Sequence, residues 1–374
     1  MKFIFTESFP LIWNGYTARN NKGISGSHTV SMYLAEGLAK SEENDVTIVN
    51  LTIDKERKVN ILKRITKYKN NIIEGNHLNV KYINYNNLSN TSCDYIITTN
   101  CTDDINIINK VSEYKKIIII MHNNLFPGAS LLKYLDKNKI IIAYISNVSK
   151  ENILNSEDSF LKDYDSIILN NSIDISEIHA ITEKEKSFVF FPCMERGYKL
   201  AVEVIKHFQD FKLYTNTYVD DNRDLINQNE QIVLTEDSSK NTIYKYYQKS
   251  KYFVYPLINL DNDRIHYDTF GYVVLESLLH GVVVIAPRMA IYEELFGDAV
   301  CYIDTDGIIP KDDLIHWHKW NSNFGLPLLD RYVDKINLLE SNVELYNSYV
   351  QKGLLLRDKY SNIKIATNLL NMLK

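Results

Sequence analysis

The sequence predicts an α/β protein built from two successive Rossmann-like halves, on three observations. Short β-rich runs alternate with longer helical patterns from the first residues onward, as βαβ units require. The alternation fades around Ser176–Ser187, in the charged stretch Glu183-Lys184-Glu185-Lys186, and then begins again. At 374 residues the chain is long enough for two such halves, each burying its own core.

In the first half the strand candidates are Phe3–Phe5, Val46–Leu51, Tyr95–Thr98, Lys116–Met121, Ile140–Ile145 and Ser166–Leu169, all rich in β-branched or aromatic residues. Helical patterns lie between them. In the first, His28–Ala39, Val30, Tyr33, Leu34, Gly37 and Leu38 set apolar or small side chains on one face. The second series offers strands at Phe188–Phe191, Lys212–Tyr214, Ile232–Leu234, Tyr252–Tyr255, Val282–Ala286 and Cys301–Ile303. A boundary near residue 180 follows, with ligands expected in a cleft at the carboxyl ends of the parallel strands.

Composition narrows the partners. Hydrophobic residues at 45% and charged residues at 24% describe a globular chain, and 42 basic against 47 acidic side chains leave a net charge of −5. That balance gives no global electrostatic reason to bind nucleic acid. Cys93, Cys101, Cys193 and Cys301 are scattered without metal-ligand spacing and read as reduced and structural. No apolar run approaches the roughly 20 residues of a membrane span. Glu7 interrupts the N-terminus too early for a signal peptide, so a cytoplasmic location is expected.

The most informative segment runs from Asp268 to Pro287. Gly271 opens a helix, Gly281 closes it, and a strand follows at once. The helix is apolar nearly all round yet contains Glu276, and a buried carboxylate needs a partner. Backbone N–H groups at Phe270, Gly271, Tyr272 and Val273, with the positive dipole end, suit a phosphate or sugar hydroxyls. Glu276 lies five residues further in, about 7.5 Å at 1.5 Å per residue. There it could accept hydrogen bonds from a diol, so that helix end and carboxylate together match a nucleotide's diphosphate and ribose. The alternative on the residues alone is a core carboxylate neutralised by a neighbouring Lys or Arg, with Asp268 a helix cap.

Asp268-Thr-Phe270-Gly271, Glu276, Gly281, Val284 and Ala286 resemble the E-x7-E region of the retaining, nucleotide-sugar-dependent glycosyltransferases of family 4, which have the GT-B fold. Weaker pieces follow in the same order along almost the whole chain. Gly23-Ile-Ser-Gly26-Ser-His is similar to the family's glycine-rich first loop, Met121-His122-Asn123 to its strand-end His, and Ala143-Tyr-Ile-Ser146 to its strand ending in Ser. Asn171-Ser-Ile-Asp174 resembles the segment closing the first domain, Glu195-Arg196-Gly197-Tyr198 the E-K-G-x that starts a helix in the second, and Tyr252–Pro256 the strand ending P-S.

The resemblance implies transfer of a sugar from a nucleotide diphosphate sugar to a glycan, lipid-linked or other hydroxyl acceptor, with retention, without metal or other cofactor, and with UDP or GDP as carrier. It implies an acceptor domain at 1–180, a donor domain at 181–355, and a last helix at 356–374 crossing back to the first. It gives Asp268 and His122 to the donor sugar, Glu276 to the ribose, and the amides of Phe270, Gly271, Tyr272 and Val273 to sugar and phosphate oxygens. Arg196 would neutralise the diphosphate with help from Lys199, and Gly26 would let the backbone approach the phosphates.

This chain departs from the pattern in five places, two of them Val283 for the usual Pro and Arg196 for the Lys. Asp268 stands for the first Glu, Phe191 occupies the position of a second cation, and Thr215-Asn216-Thr217 replaces a G-x-G. A GT-B epimerase or hydrolase, or a sugar-nucleotide-binding protein without turnover, are the competing readings. Among smaller signals, the basic amphipathic stretch at 55–70 could touch an anionic membrane. Asp261-Asn-Asp263 reads as a turn, Trp317-His-Lys-Trp320 as packing, and the first loop with Trp13, Asn14, Tyr16 and Arg19 as a surface loop or a candidate for acceptor recognition.

Overall fold

The computed structural model describes residues 1–9, 13–20, 26–52, 75–88, 91–99, 108–123, 132, 135–156, 158–180, 183–216, 229–259, 264–265, 267–305 and 325–374. The stretch at 55–70, Cys101, Thr217, Asp261-Asn-Asp263 and Trp317–Trp320 lie outside them. The chain divides into two compact units, Met1–Asp174 with Tyr360–Lys374, and Ile175–Lys359.

The first unit is organised on an eight-stranded sheet. Its strands are β1 (Lys2–Phe9), β2 (Asp45–Thr52), β3 (Gly75–His77), β4 (Val80–Asn84), β5 (Tyr95–Thr98), β6 (Lys116–Met121), β7 (Ile140–Tyr144) and β8 (Asp165–Ile168), in the order β8-β7-β6-β5-β1-β2-β4-β3. All pairings are parallel except β3 with β4. Sheets of this kind are covered on both faces, which is why Phe3, Ile4 and Phe5 on β1 and Ile117–Met121 on β6 are buried without alternation. β3 and β4 form a hairpin whose two turn residues, Leu78 and Asn79, both have positive φ (47° and 64°), matching a type I′ turn.

Two short helices precede β2: α1 (Gly15–Asn20) and α2 (Gly26–Leu38). Asn14 caps α1 through Oδ1, which accepts from the Thr17 amide at 2.9 Å. The first-loop expectation needs correction here. Trp13 is buried against Tyr82, and Arg19 makes two 2.8 Å bonds to Glu36, a carboxylate that is itself fully buried on α2. A carboxylate so placed requires a cation, so Arg19 serves the core. Tyr16 remains exposed.

The main sheet of the second unit has six strands among the described residues, β9 (Glu185–Phe190), β10 (Lys212–Thr215), β11 (Ile232–Leu234), β12 (Ser250–Val254), β13 (Val283–Pro287) and β14 (Cys301–Ile303). They are all parallel, in the order β11-β10-β9-β12-β13-β14. Numbered within the sheet this is 3-2-1-4-5-6, the doubly wound Rossmann order. β9 begins inside the charged stretch that reads as a break in the sequence, because Glu185 and Lys186 lie on its exposed start. The connections include α3 (Asn147–Leu154) in the first unit and α4 (Tyr198–Ile205), α5 (Lys240–Lys249), α6 (Tyr272–Leu279) and α7 (Ala290–Phe296) in the second.

The C-terminal part adds α8 (Gly325–Ser341), α9 (Val343–Leu354), α10 (Leu356–Tyr360) and α11 (Asn362–Met372). The expected single helix at 356–374 is broken at Ser361, whose Oγ accepts from the Lys364 amide at 3.2 Å. Ile173 and the 360–362 turn exchange backbone bonds of 3.0 and 2.8 Å, and α11 packs on α2 where Gly37 leaves no room for a Cβ beside Asn362.

Candidate functional site

In the second unit the switch point lies between β9 and β12, where neighbouring strands lead their connections in opposite directions. The loop after β9 carries Arg196, and that after β12 carries Tyr255 and Leu257. Arg196 ends a single 3-10 turn, stopped by Gly197 at φ 109°, where a Cβ would stand 2.8–3.0 Å from the Pro256 ring. Only glycine allows both that conformation and that approach. Leu257 is buried at φ 62°, and its amide donates to the Arg196 carbonyl at 3.0 Å. The two loops are thereby stitched together beneath the Arg196 side chain.

Asp268, 7% exposed, is the hub of this corner. Its Oδ2 accepts from Tyr292 Oη at 2.6 Å, and its Oδ1 forms an ion pair with Arg196 and accepts from Tyr255 Oη at 3.3 Å. Arg196 Nη1 also donates to Tyr255 Oη at 2.9 Å. Burial pushes the Tyr255 and Tyr292 phenols upward, so both stay protonated and serve as donors. With 32% of its side chain exposed, Arg196 remains accessible to an anion while holding the carboxylate.

Helix α6 starts at the same place. Gly271 takes φ 76°, and a Cβ there would lie 2.7 Å from the Tyr292 ring. The helix's own hydrogen bonds begin with the Val274 and Leu275 amides, both given to the Gly271 carbonyl, so the first turn at Tyr272 and Val273 is the dipole's positive end. Phe270 is buried edge-on to Phe296, with ring centroids 6.0 Å apart. Tyr272 and Val273 are half-buried.

Glu276 is 2% exposed and has its cation: Lys240, the first residue of α5, forms an ion pair with Oε1. Tyr244, one turn along α5, donates to the same Oε1 at 3.0 Å. No described residue donates to Oε2. Beneath them His280 is fully buried, its Nδ1 2.7 Å from the Glu276 carbonyl and its ring 4.6 Å from that of Tyr244. Burial pushes His280 down to about 3, so it is neutral and its Nδ1–H donates to that carbonyl.

The expected residues thus fall into two groups. Arg196, Asp268, Phe270, Gly271, Tyr272, Val273 and Glu276 share one corner of the second unit. Lys199, the second residue of α4, is half-buried. His122 and Gly26 belong to the first unit, whose own switch point lies between β1 and β5. There Glu7 near the end of β1 is 1% exposed, and its Oε2 lies 3.4 Å from His28 Nε2 on α2. His122, one residue beyond β6, is pushed down to about 4 by burial and then by the nearby His28, and is neutral at pH 7. Gly26 heads α2, and among the described residues nothing beyond its own helix lies within 4 Å of where its Cβ would be.

Sequence reasoning missed Lys240, Tyr244 and Tyr292 and gave no role to Tyr255, Glu7 or His28. Lys240 and Tyr244 carry one faint signal, a cation and a phenol at i and i+4 on one helix face. Among the described residues no group of three His, Cys, Asp or Glu is placed to hold a metal ion, and no helix is long and apolar enough to cross a membrane.

No family model and no curated protein matches the sequence. Solved structures do. Sucrose-phosphate synthase from Thermosynechococcus elongatus aligns over 100% of this chain and 98% of its own, at 11% identity and TM-score 0.66. HepE from Anabaena, solved in complex with UDP and glucose, aligns over 100% and 99% at 10% identity and TM-score 0.63. A putative UDP-N-acetylglucosamine 2-epimerase from Listeria monocytogenes aligns over 100% and 96% at 12% identity and TM-score 0.54. At such identities the likeness is one of fold, and the fold is GT-B, the α/β architecture expected from the sequence.

Proposed function

We propose that this protein is a retaining glycosyltransferase that moves a sugar from a nucleotide diphosphate sugar to a hydroxyl acceptor without a metal. One observation carries the reading: at the switch point of the second sheet, an accessible Arg196 and the first turn of α6 meet two oriented carboxylates, Asp268 and Glu276. A diphosphate suits the cation and helix end, and a ribose diol suits a carboxylate with one oxygen not taken by the protein. Asp268, held by three donors, is fixed to accept from a sugar hydroxyl.

When the glycosidic carbon–oxygen bond to the diphosphate breaks, negative charge grows on the leaving phosphate, where Arg196 and the helix terminus stabilise it. The acceptor oxygen bonds to the same carbon from the same face, and its proton passes to the departing phosphate oxygen. Phe270, Gly271, Tyr272 and Val273 shape the donor seat, and Lys199 adds charge beside Arg196. In the first unit His122 is assigned to substrate, and the open space at Gly26 leaves room for a ligand to reach backbone. The donor side is assigned to 181–355 and the acceptor side to 1–180, with a glycan or lipid-linked acceptor, the cytoplasm as compartment and 55–70 as the candidate membrane contact.

A thermal-shift screen against UDP, GDP, ADP and their sugar conjugates, with and without magnesium, tests the donor site. A ligand at 100 times its Kd adds about 2.7 kcal/mol, and a metal-independent shift with one nucleotide supports the reading. No shift with any of them overturns it. The second reading, an epimerase, is favoured by the Listeria likeness. Product analysis separates the two: glycan formation marks the transferase, and nucleotide release with a changed free sugar marks the epimerase.

A further inference from the structure

We infer that Lys240 and Tyr244 are positioning residues that make the protein select ribonucleotides over 2′-deoxyribonucleotides, by fixing Glu276 with Oε1 engaged and Oε2 presented to a cis-diol. The inference rests on the proposed donor site and adds to it a specificity device from a different helix.

The geometry is asymmetric in an informative way. Both donors converge on Oε1, Lys240 Nζ as an ion pair and Tyr244 Oη at 3.0 Å, while Oε2 of the same carboxylate receives no bond from any described residue. A carboxylate only 2% exposed is costly to bury, and its second oxygen keeps an unfilled capacity to accept. Using one oxygen twice locks the carboxylate's rotation and leaves the other as an acceptor.

The supports are themselves held. Ser239 caps α5, its Oγ accepting from the Thr242 amide at 3.2 Å, which fixes Lys240 at the first helical position. Lys240 Nζ lies 5.3 Å from the Tyr272 ring centroid on the first turn of α6 and 5.8 Å from that of Tyr244. The Tyr244 ring rests on neutral His280 at 4.6 Å, and His280 is tied to the Glu276 carbonyl. Tyr244, His280 and Glu276 therefore form one closed circuit, to which Lys240 is joined at Oε1. A diol donating from both hydroxyls would complete the carboxylate's hydrogen bonding. A 2′-deoxyribose offers one donor fewer.

The test is isothermal titration of the full chain with UDP, GDP and the 2′-deoxy form of each, on wild type, Lys240→Met, Lys240→Arg and Tyr244→Phe, with folding checked by circular dichroism. Wild type should prefer the ribonucleotide by at least about tenfold, the worth of one hydrogen bond to a charged group. Lys240→Met should reduce the preference to about twofold or less, and Lys240→Arg should restore most of it. Tyr244→Phe should reduce it partway, and decides the matter if Lys240→Met does not fold. Loss of general affinity with the preference intact overturns the positioning role while leaving the donor site standing. Failure of wild type to bind either ribonucleotide overturns both.

Discussion

The two sheets are wound alike, yet their switch points are furnished in opposite ways. In the second unit the carboxyl ends carry two fixed ion pairs, Arg196 with Asp268 and Lys240 with Glu276, each braced by tyrosine hydroxyls. In the first unit the corresponding corner holds Glu7 beside His28, and a neutral His122. Arginine and lysine keep their charge across the physiological range, whereas burial leaves His122 without one. The second corner thus holds fixed positive charge against fixed carboxylates. The first sets a buried carboxylate beside an imidazole nitrogen, with a second imidazole uncharged.

The strongest way to break this contrast is Glu276→Ala. Removing the carboxylate strands Lys240, whose side chain is 11% exposed, and should cost about 3–5 kcal/mol in urea unfolding. Glu276→Gln should cost less while still weakening nucleotide binding. If Glu276→Ala unfolds like wild type, the pair is not the fixture described. Next comes acid. Both His122 and His280 have folded values depressed below the usual 6.5, to about 4 and about 3, so the unfolded chain binds more protons in that range. Their stabilisation is fully present above pH 6.5 and is lost as pH falls toward those values. By pH 5 each should have given up about 2 kcal/mol. Chemical denaturation at pH 7 and pH 5 measures the loss, and His280→Gln should cut the slope in half.

A smaller effect is expected at Gly271. Alanine there adopts a left-handed conformation at about 1–2 kcal/mol and displaces the Tyr292 ring from Asp268. The thermal midpoint should fall modestly and nucleotide affinity sharply. Equal affinity would detach the Tyr292–Asp268 bond from binding. At the bottom of the scale stands Lys186→Ala, which removes an exposed pair with Asp210 and should leave the midpoint where it was. A clear drop there would mean that surface charge contributes more to this unit than the two buried pairs suggest.

Much of the fold is legible in the sequence because parallel strands buried on both faces read as continuous apolar runs. Tyr95–Thr98, Lys116–Met121, Ile232–Leu234 and Cys301–Ile303 have the same limits in both. The β3–β4 hairpin was not legible. Val80-Lys-Tyr-Ile-Asn, next to the edge strand, alternates with polar residues, and its turn uses Leu78 where Asn or Gly would have announced it. The Asp268–Glu276 segment was legible because helix start, carboxylate and stop are local. Lys240 was not, since 36 residues separate it from Glu276 and only tertiary packing brings them together.

The placement of α11 has a consequence for how the molecule is made. Residues 360–374 belong to the first compact unit, while everything between 175 and 359 belongs to the second. On the ribosome the second unit is a continuous stretch and can fold as soon as Lys359 emerges. The first unit, although it begins before the second, must wait for residues 360–374 before α2 acquires the helix that covers Gly37. For these two units the N-to-C order of completion is thus reversed.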